Sequence, residues 1–163
     1  MNNNINNGIN KTFNYYGRSD IGKVSKINED LVTGFTLLNE NVMCLIAADG
    51  LGSIIGGQFS SVVAVEEIKK YLEHFLVDSN VNFMKQILYN AIYTTNRVVS
   101  SYMNINPELY SSFTSTITIA LVNKNKEMVV GHLGNSRLYM LRGGEIYQIT
   151  RDDTIARDLI DKG

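Results

Sequence analysis

Val42-Met43-Cys44-Leu45-Ile46-Ala47-Ala48-Asp49-Gly50-Leu51-Gly52 is the stretch on which the reading of this chain turns. Its first part is apolar at odd and even positions alike, which predicts a strand buried on both faces of a layered structure and ending at Asp49. Upstream, residues 31–38 form a second β-like run, joined to the first by the turn-forming Asn39-Glu40-Asn41. A hairpin of these runs carries Asp49 to the same edge as Asn28-Glu29-Asp30. Carboxylates from two strand ends on one sheet edge suit hard divalent cations, which take oxygen ligands and keep several waters. Taken alone, Asp49-Gly50 is also a common hairpin turn and Glu29-Asp30 an ordinary exposed acidic pair.

The rest of the chain predicts an α+β domain. The 163 residues suffice for one domain with a real core, and a formal charge of -1 with scattered Lys and Arg argues against nucleic-acid binding. Residues 1–12 are Asn-rich and predict a disordered leader, with the folded domain running from 13 to 163. The polar start predicts no secretory signal, no stretch is apolar enough to span a bilayer, and lone Cys44 reads as a core hydrophobe. Together these predict a cytoplasmic setting.

Phe13, Tyr15 and Tyr16 suggest a first short strand. After Gly56-Gly57, Val62, Val63, Ile68, Leu72, Phe75 and Leu76 recur at helical spacing. A second helix is expected over 81–103, capped by Asp78-Ser79-Asn80. Beyond Pro107 the period returns to two. Strands are expected over 114–122 and 127–133, then a hairpin of 137–142 and 145–149 about Gly143-Gly144, then a short helix from about Thr150. Gly56-Gly57 lacks a following Gly-Lys-Ser or Gly-Lys-Thr, so it reads as ordinary helix initiation rather than a phosphate loop. His74 and His132 have no spaced ligand partner and read as structural.

Six motifs in order then carry a resemblance. They are Gly22-Lys23-Val24-Ser25-Lys26-Ile27-Asn28-Glu29-Asp30, Ala48-Asp49-Gly50-Leu51-Gly52, Gly56-Gly57-Gln58-Phe59-Ser60-Ser61, Phe113-Thr114-Ser115-Thr116, Leu133-Gly134-Asn135-Ser136-Arg137 and Ile149-Thr150-Arg151-Asp152. This series resembles the metal-dependent serine/threonine protein phosphatases of type 2C, in their compact bacterial form. The resemblance implies an antiparallel β-sandwich flanked by a helix pair, with two Mn²⁺ or Mg²⁺ ions at one edge. It implies hydrolysis of phosphoserine and phosphothreonine by a metal-activated water. Asp49 and the Gly50 carbonyl would bind metal directly, and Asp30 and Glu29 through waters.

The sequence also departs from that pattern. Ser25 stands where the bacterial family carries a phosphate-gripping arginine, leaving Lys23 or Lys26 as substitutes without a bidentate fork. Asn135 replaces a carboxylate in the Gly-Asp-Ser-Arg motif, Thr114-Ser115-Thr116 stands for Gly-Thr-Thr, and Ser53 for a glycine. Gly163 falls about two-thirds of the way through the usual domain, before a flap, further strands and two more metal-binding aspartates. The expectation is therefore an incomplete two-metal site and an open sheet edge that invites self-association. Two functions follow: a phosphatase acting on a phosphoprotein substrate, or an impaired pseudo-phosphatase that binds a regulatory protein partner.

Overall fold

The computed structural model describes residues 12–51, 56–105, 107 and 113–162. Strand β1 (Asp30–Leu37) and strand β2 (Val42–Leu51) form the expected hairpin, and the turn between them holds Leu38, Asn39 and Glu40 at positive φ. Helix α1 (Gly56–Phe75) and helix α2 (Val81–Ile105) follow. Strand β3 (Thr114–Ser115) pairs with the end of β2, and β4 (Ile117–Asn123) and β5 (Met128–Leu133) complete an antiparallel five-stranded sheet in the order β1-β2-β4-β5. A separate two-stranded sheet is made by β6 (Tyr139–Arg142) and β7 (Glu145–Gln148), and α3 (Ile155–Lys162) ends the described chain.

The helix pair covers one face of the large sheet. Val42, Cys44, Ile46 and Ala48 alternate towards it and are almost fully buried with Ile68, Leu72, Met84, Leu88, Ile119 and Leu121. Burial pushes the Cys44 thiol well above its ordinary value, which keeps it a neutral core group. Helix α2 begins at a well-made cap: Asn80 Oδ1 accepts from the amides of Asn82 (2.9 Å) and Phe83 (3.4 Å).

On the opposite face, Val32, Leu45, Ala47, Thr118 and Ala120 line a cleft of about 270 Å³ whose other wall is Tyr15, Tyr16, Leu138 and Tyr139. The expected sandwich is thus present as a full sheet with its helix pair, plus a second layer that holds two strands among the described residues. Among the described residues, strands β1 and β5 are the edges of the large sheet.

Several expectations need correction. Residues 13–16 make no strand; Asn14 and Arg18 form isolated bridges only. Strand β2 does not stop at Asp49 but runs through it to Leu51, because β3 supplies partners for Gly50 and Leu51. Val62 and Phe75 lie on the exposed side of α1, whose inner face is completed by Ser60 and Ser61. The last helix starts at Ile155, capped by Thr154, whose Oγ1 accepts from the Arg157 amide at 3.2 Å. Thr150 instead accepts from the Leu138 amide at 2.9 Å and ties the hairpin base together. The Asn-rich leader up to residue 11, Ser53 and Gly163 fall outside the described residues. Among the described residues no helix is long and apolar enough to cross a membrane.

Candidate metal centre

The β1–β2 register sets the site. Leu37 pairs with Val42 across the turn, and seven residues back along the ladder Asp30 pairs with Asp49. Directly opposed residues project on the same face, so two carboxylates meet across adjacent strands, an arrangement that is unfavourable without a cation. Asp49 shares its face with Leu45 and Ala47, which places the pair at the end of the cleft between the two layers and away from the helices.

Each acid is held at its backbone. Asn28 Oδ1 accepts from the Asp30 amide (3.1 Å) in a local turn, and Asn28 Nδ2 donates to Ser19 Oγ (2.6 Å), so Asn28 braces Asp30. The Asp49 amide donates to Thr116 Oγ1 (3.1 Å), and the Asp49 carbonyl accepts from the Thr116 amide (2.8 Å), with Ser115 Oγ 3.2 Å away.

Glu29 lies on the other side of the ladder, against the start of α1. Its carbonyl accepts from the Gly50 amide (3.2 Å) and from Ser61 Oγ (2.8 Å). Its carboxylate rests where a Cβ on Gly57 would be, and a Cβ on Gly50 would overlap the Gly57 carbonyl. Gly57 is therefore more than a helix starter: with Gly50 it lets the helix terminus close onto the acidic edge. Ser60 joins in, its Oγ within hydrogen-bond reach of the carbonyls of both Gly57 (2.8 Å) and Thr114.

Electrostatics mark Asp49 out. Desolvation first, then the charge of Asp30, a hydrogen bond with Asp30 and the charge of Glu29 raise its pKa above the ordinary carboxylate value. Because the folded state favours the protonated acid, the protein binds more protons folded than unfolded between the two pKa values. The stability of the metal-free protein relative to Asp49→Asn should be highest below the ordinary Asp value of 3.8 and should fall as pH rises through the raised one. Denaturant titrations of both proteins in chelator from acid to neutral pH check this; a constant difference would contradict it.

The donor set fits a hard dication in part. Asp30, Asp49 and the Gly50 carbonyl are oxygen donors on one edge, the chemistry such a cation takes along with waters. Among the described residues no cluster of three or more Asp, Glu, His or Cys side chains is arranged to hold an ion. The residues present match one hydrated dication better than a closely spaced pair, whose charge would need further carboxylates.

The other expected residues lie on neighbouring loops. Lys23 and Lys26 are exposed on the loop that leads into Asp30. Asn135 is exposed, whereas its neighbours are anchored: Arg137 makes a bidentate pair with Asp152 at 2.7 Å through both Nε and Nη2. That guanidinium holds the Asp152 carboxyl below the usual range. His132 accounts for a structural role, with Nδ1 2.9 Å from Thr118 Oγ1. The sequence motifs include Asn28, Thr116, Ser136, Ser60 and Ser61 but assign them no role of their own. The available signal was the density of hydroxyls beside the glycine motifs, in Ser60-Ser61 and Thr114-Ser115-Thr116.

Comparison with known proteins identifies the family. The protein phosphatase 2C family model matches residues 17–156, so the chain belongs to that family. It is 34% identical over 149 residues to the serine/threonine protein phosphatase PstP of Mycobacterium tuberculosis, covering 91% of this chain and 27% of the relative. The PstP catalytic domain solved in complex with two manganese ions superposes with a TM-score of 0.68 at 28% identity, over 90% of this chain and 58% of that one. The serine/threonine phosphatase Stp1 of Staphylococcus aureus gives a TM-score of 0.77 at 27% identity, over 89% of this chain and 56% of that one. The chain thus spans between about a quarter and three fifths of the length of these relatives.

Proposed function

We propose that this chain is the metal-binding part of a serine/threonine protein phosphatase, in which Asp49, the Gly50 carbonyl, Asp30 and Glu29 hold Mn²⁺ or Mg²⁺. The observation that carries the reading is the cross-strand pair Asp30↔Asp49 in a chain of the 2C family. Opposed carboxylates are retained at a cost to the fold, and a dication removes that cost. When bound, the metal supplies Lewis acidity and a water activated near neutral pH for attack on a phosphoserine or phosphothreonine ester. The chain's own part is to hold its oxygen donors at fixed backbone positions and to close the helix terminus over one side of them. Lys23 and Lys26, on the loop ahead of Asp30, supply positive charge for the substrate phosphate, as point charges rather than a bidentate fork.

A second reading is a pseudo-phosphatase module that binds a regulatory partner. It is favoured by Glu29 lying on the other side of the ladder, so that among the described residues no three Asp, Glu, His or Cys side chains are arranged to hold an ion. Turnover of p-nitrophenyl phosphate with added Mn²⁺, beside Asp49→Asn, separates the two. Metal-dependent turnover that the substitution abolishes supports the enzyme. Mn²⁺ binding without turnover supports the module, and neither binding nor turnover sinks the metal reading itself. In both readings the open edges at β1 and β5 are candidates for self-association.

A further inference from the structure

The β2 ladder contains an irregularity that falls on Asp49. Ala47↔Thr118 and Gly50↔Ser115 share one register, which places Thr116 opposite Asp49. A regular hydrogen-bonded antiparallel pair exchanges two backbone N–H···O=C bonds. Here one is regular, from the Thr116 amide to the Asp49 carbonyl at 2.8 Å. The other is not: the Asp49 amide donates to Thr116 Oγ1 at 3.1 Å, and the Thr116 carbonyl accepts from Ser115 Oγ at 2.8 Å instead. The threonine hydroxyl has taken the place of its own carbonyl.

That hydroxyl has a further partner. Thr116 Oγ1 lies 2.8 Å from Ser136 Oγ, and the Ser136 carbonyl accepts from Thr118 Oγ1 at 3.1 Å. His132 Nδ1 lies 2.9 Å from the same Thr118 Oγ1, and its buried Nε2 has no partner among the described residues. Thr116 and Thr118 are themselves almost fully buried, at 6% and 5% exposure, so water does not readily replace these bonds. The result is a hydroxyl strap from the Asp49 backbone to Ser136 in the 134–137 loop, where the next residue, Arg137, is anchored by Asp152.

We propose that Thr116 is a positioning residue for Asp49, and that Ser136 makes the metal affinity of the acidic edge depend on the 134–137 loop. The inference rests on the metal-binding reading above, and concerns only how the carboxylate is held. Residues that orient a ligand without touching the metal change affinity by roughly 10- to 100-fold when removed. Thr116→Val keeps the shape and removes the hydroxyl, leaving the Asp49 amide without its acceptor. Thr116→Ser keeps the acceptor.

The test has two readouts: Mn²⁺ affinity by calorimetry, and amide hydrogen exchange at Asp49 in chelator. Thr116→Val should weaken Mn²⁺ binding about tenfold or more and speed exchange at Asp49, while amides at Cys44 and Ile46 in mid-strand stay protected. Thr116→Ser should stay near wild type. Ser136→Ala should shift both readouts the same way by less, and adding it to Thr116→Val should change little, since the strap is already cut. Unchanged exchange at Asp49 in Thr116→Val overturns the proposal, as does wild-type Mn²⁺ affinity in that variant. If wild type binds no Mn²⁺, the metal reading fails separately, and the exchange rates alone decide whether Thr116 holds Asp49. Should Thr116→Val not fold, Ser136→Ala is read the same way, with unchanged affinity and exchange overturning the coupling.

Discussion

Gly50→Ala should lower the thermal unfolding midpoint by on the order of 10 °C, corresponding to about 3–5 kcal/mol in a domain of this size. The new Cβ would overlap the Gly57 carbonyl, a backbone atom at the start of α1 that moves only if the helix retreats from the sheet. Retreat would in turn pull Ser61 from the Glu29 carbonyl and Ser60 from the Thr114 carbonyl, so the damage spreads beyond one contact. Gly57→Ala is the informative comparison. Its Cβ meets chiefly the Glu29 carboxylate, the free end of a flexible side chain, so it should cost less and displace Glu29 instead. Thermal melts in chelator decide the matter. Equal midpoints for Gly50→Ala and wild type would show that the helix terminus does not close on the acidic edge as described.

Asp49→Asn should act in opposite directions on stability and on metal binding. In chelator at neutral pH the amide removes a charge that faces Asp30 and senses Glu29, so the substituted protein should melt higher than wild type. The gain should shrink at acid pH, where the wild-type carboxyl is protonated. With Mn²⁺ present the order should reverse, since wild type gains the binding free energy of the ion and the variant does not. Stability given up at a site without its ligand and recovered with it is the signature of a binding edge rather than a defect of folding. A variant that is less stable than wild type in chelator would contradict the repulsion argument.

Much of the fold was legible because hydrophobic pattern and turn chemistry agreed. The apolar run at 42–48, the two helical stripes and the Gly143-Gly144 hairpin each have one local solution, and the structure adopts it. The acidic pairing was legible for a related reason: the four residues 38–41 between the strands set a register in which Asp30 and Asp49 face each other. A one-residue slip would send one of them to the helix side. The cost of that turn was hidden, since nothing in Leu38 announces a left-handed backbone.

What escaped the sequence depends on contacts between distant segments. Strand β2 continues past Asp49 only because Thr114 and Ser115 return to pair with its end. Thr116 matters because its hydroxyl substitutes for a backbone carbonyl, which no periodicity reports. Gly57 looked like punctuation, and its role lies in what would collide with a Cβ there. Phe13, Tyr15 and Tyr16 have strand-like composition, yet the two tyrosines serve as a wall of the interlayer cleft without joining a ladder.

The central claim is that the Asp30–Asp49 edge binds a hard divalent cation. Calorimetric titration of Mn²⁺ into the chain, wild type beside Asp49→Asn, tests it most directly. Binding to wild type should be saturable and should be lost in Asp49→Asn. No binding to wild type, or equal affinity in the two proteins, would contradict it.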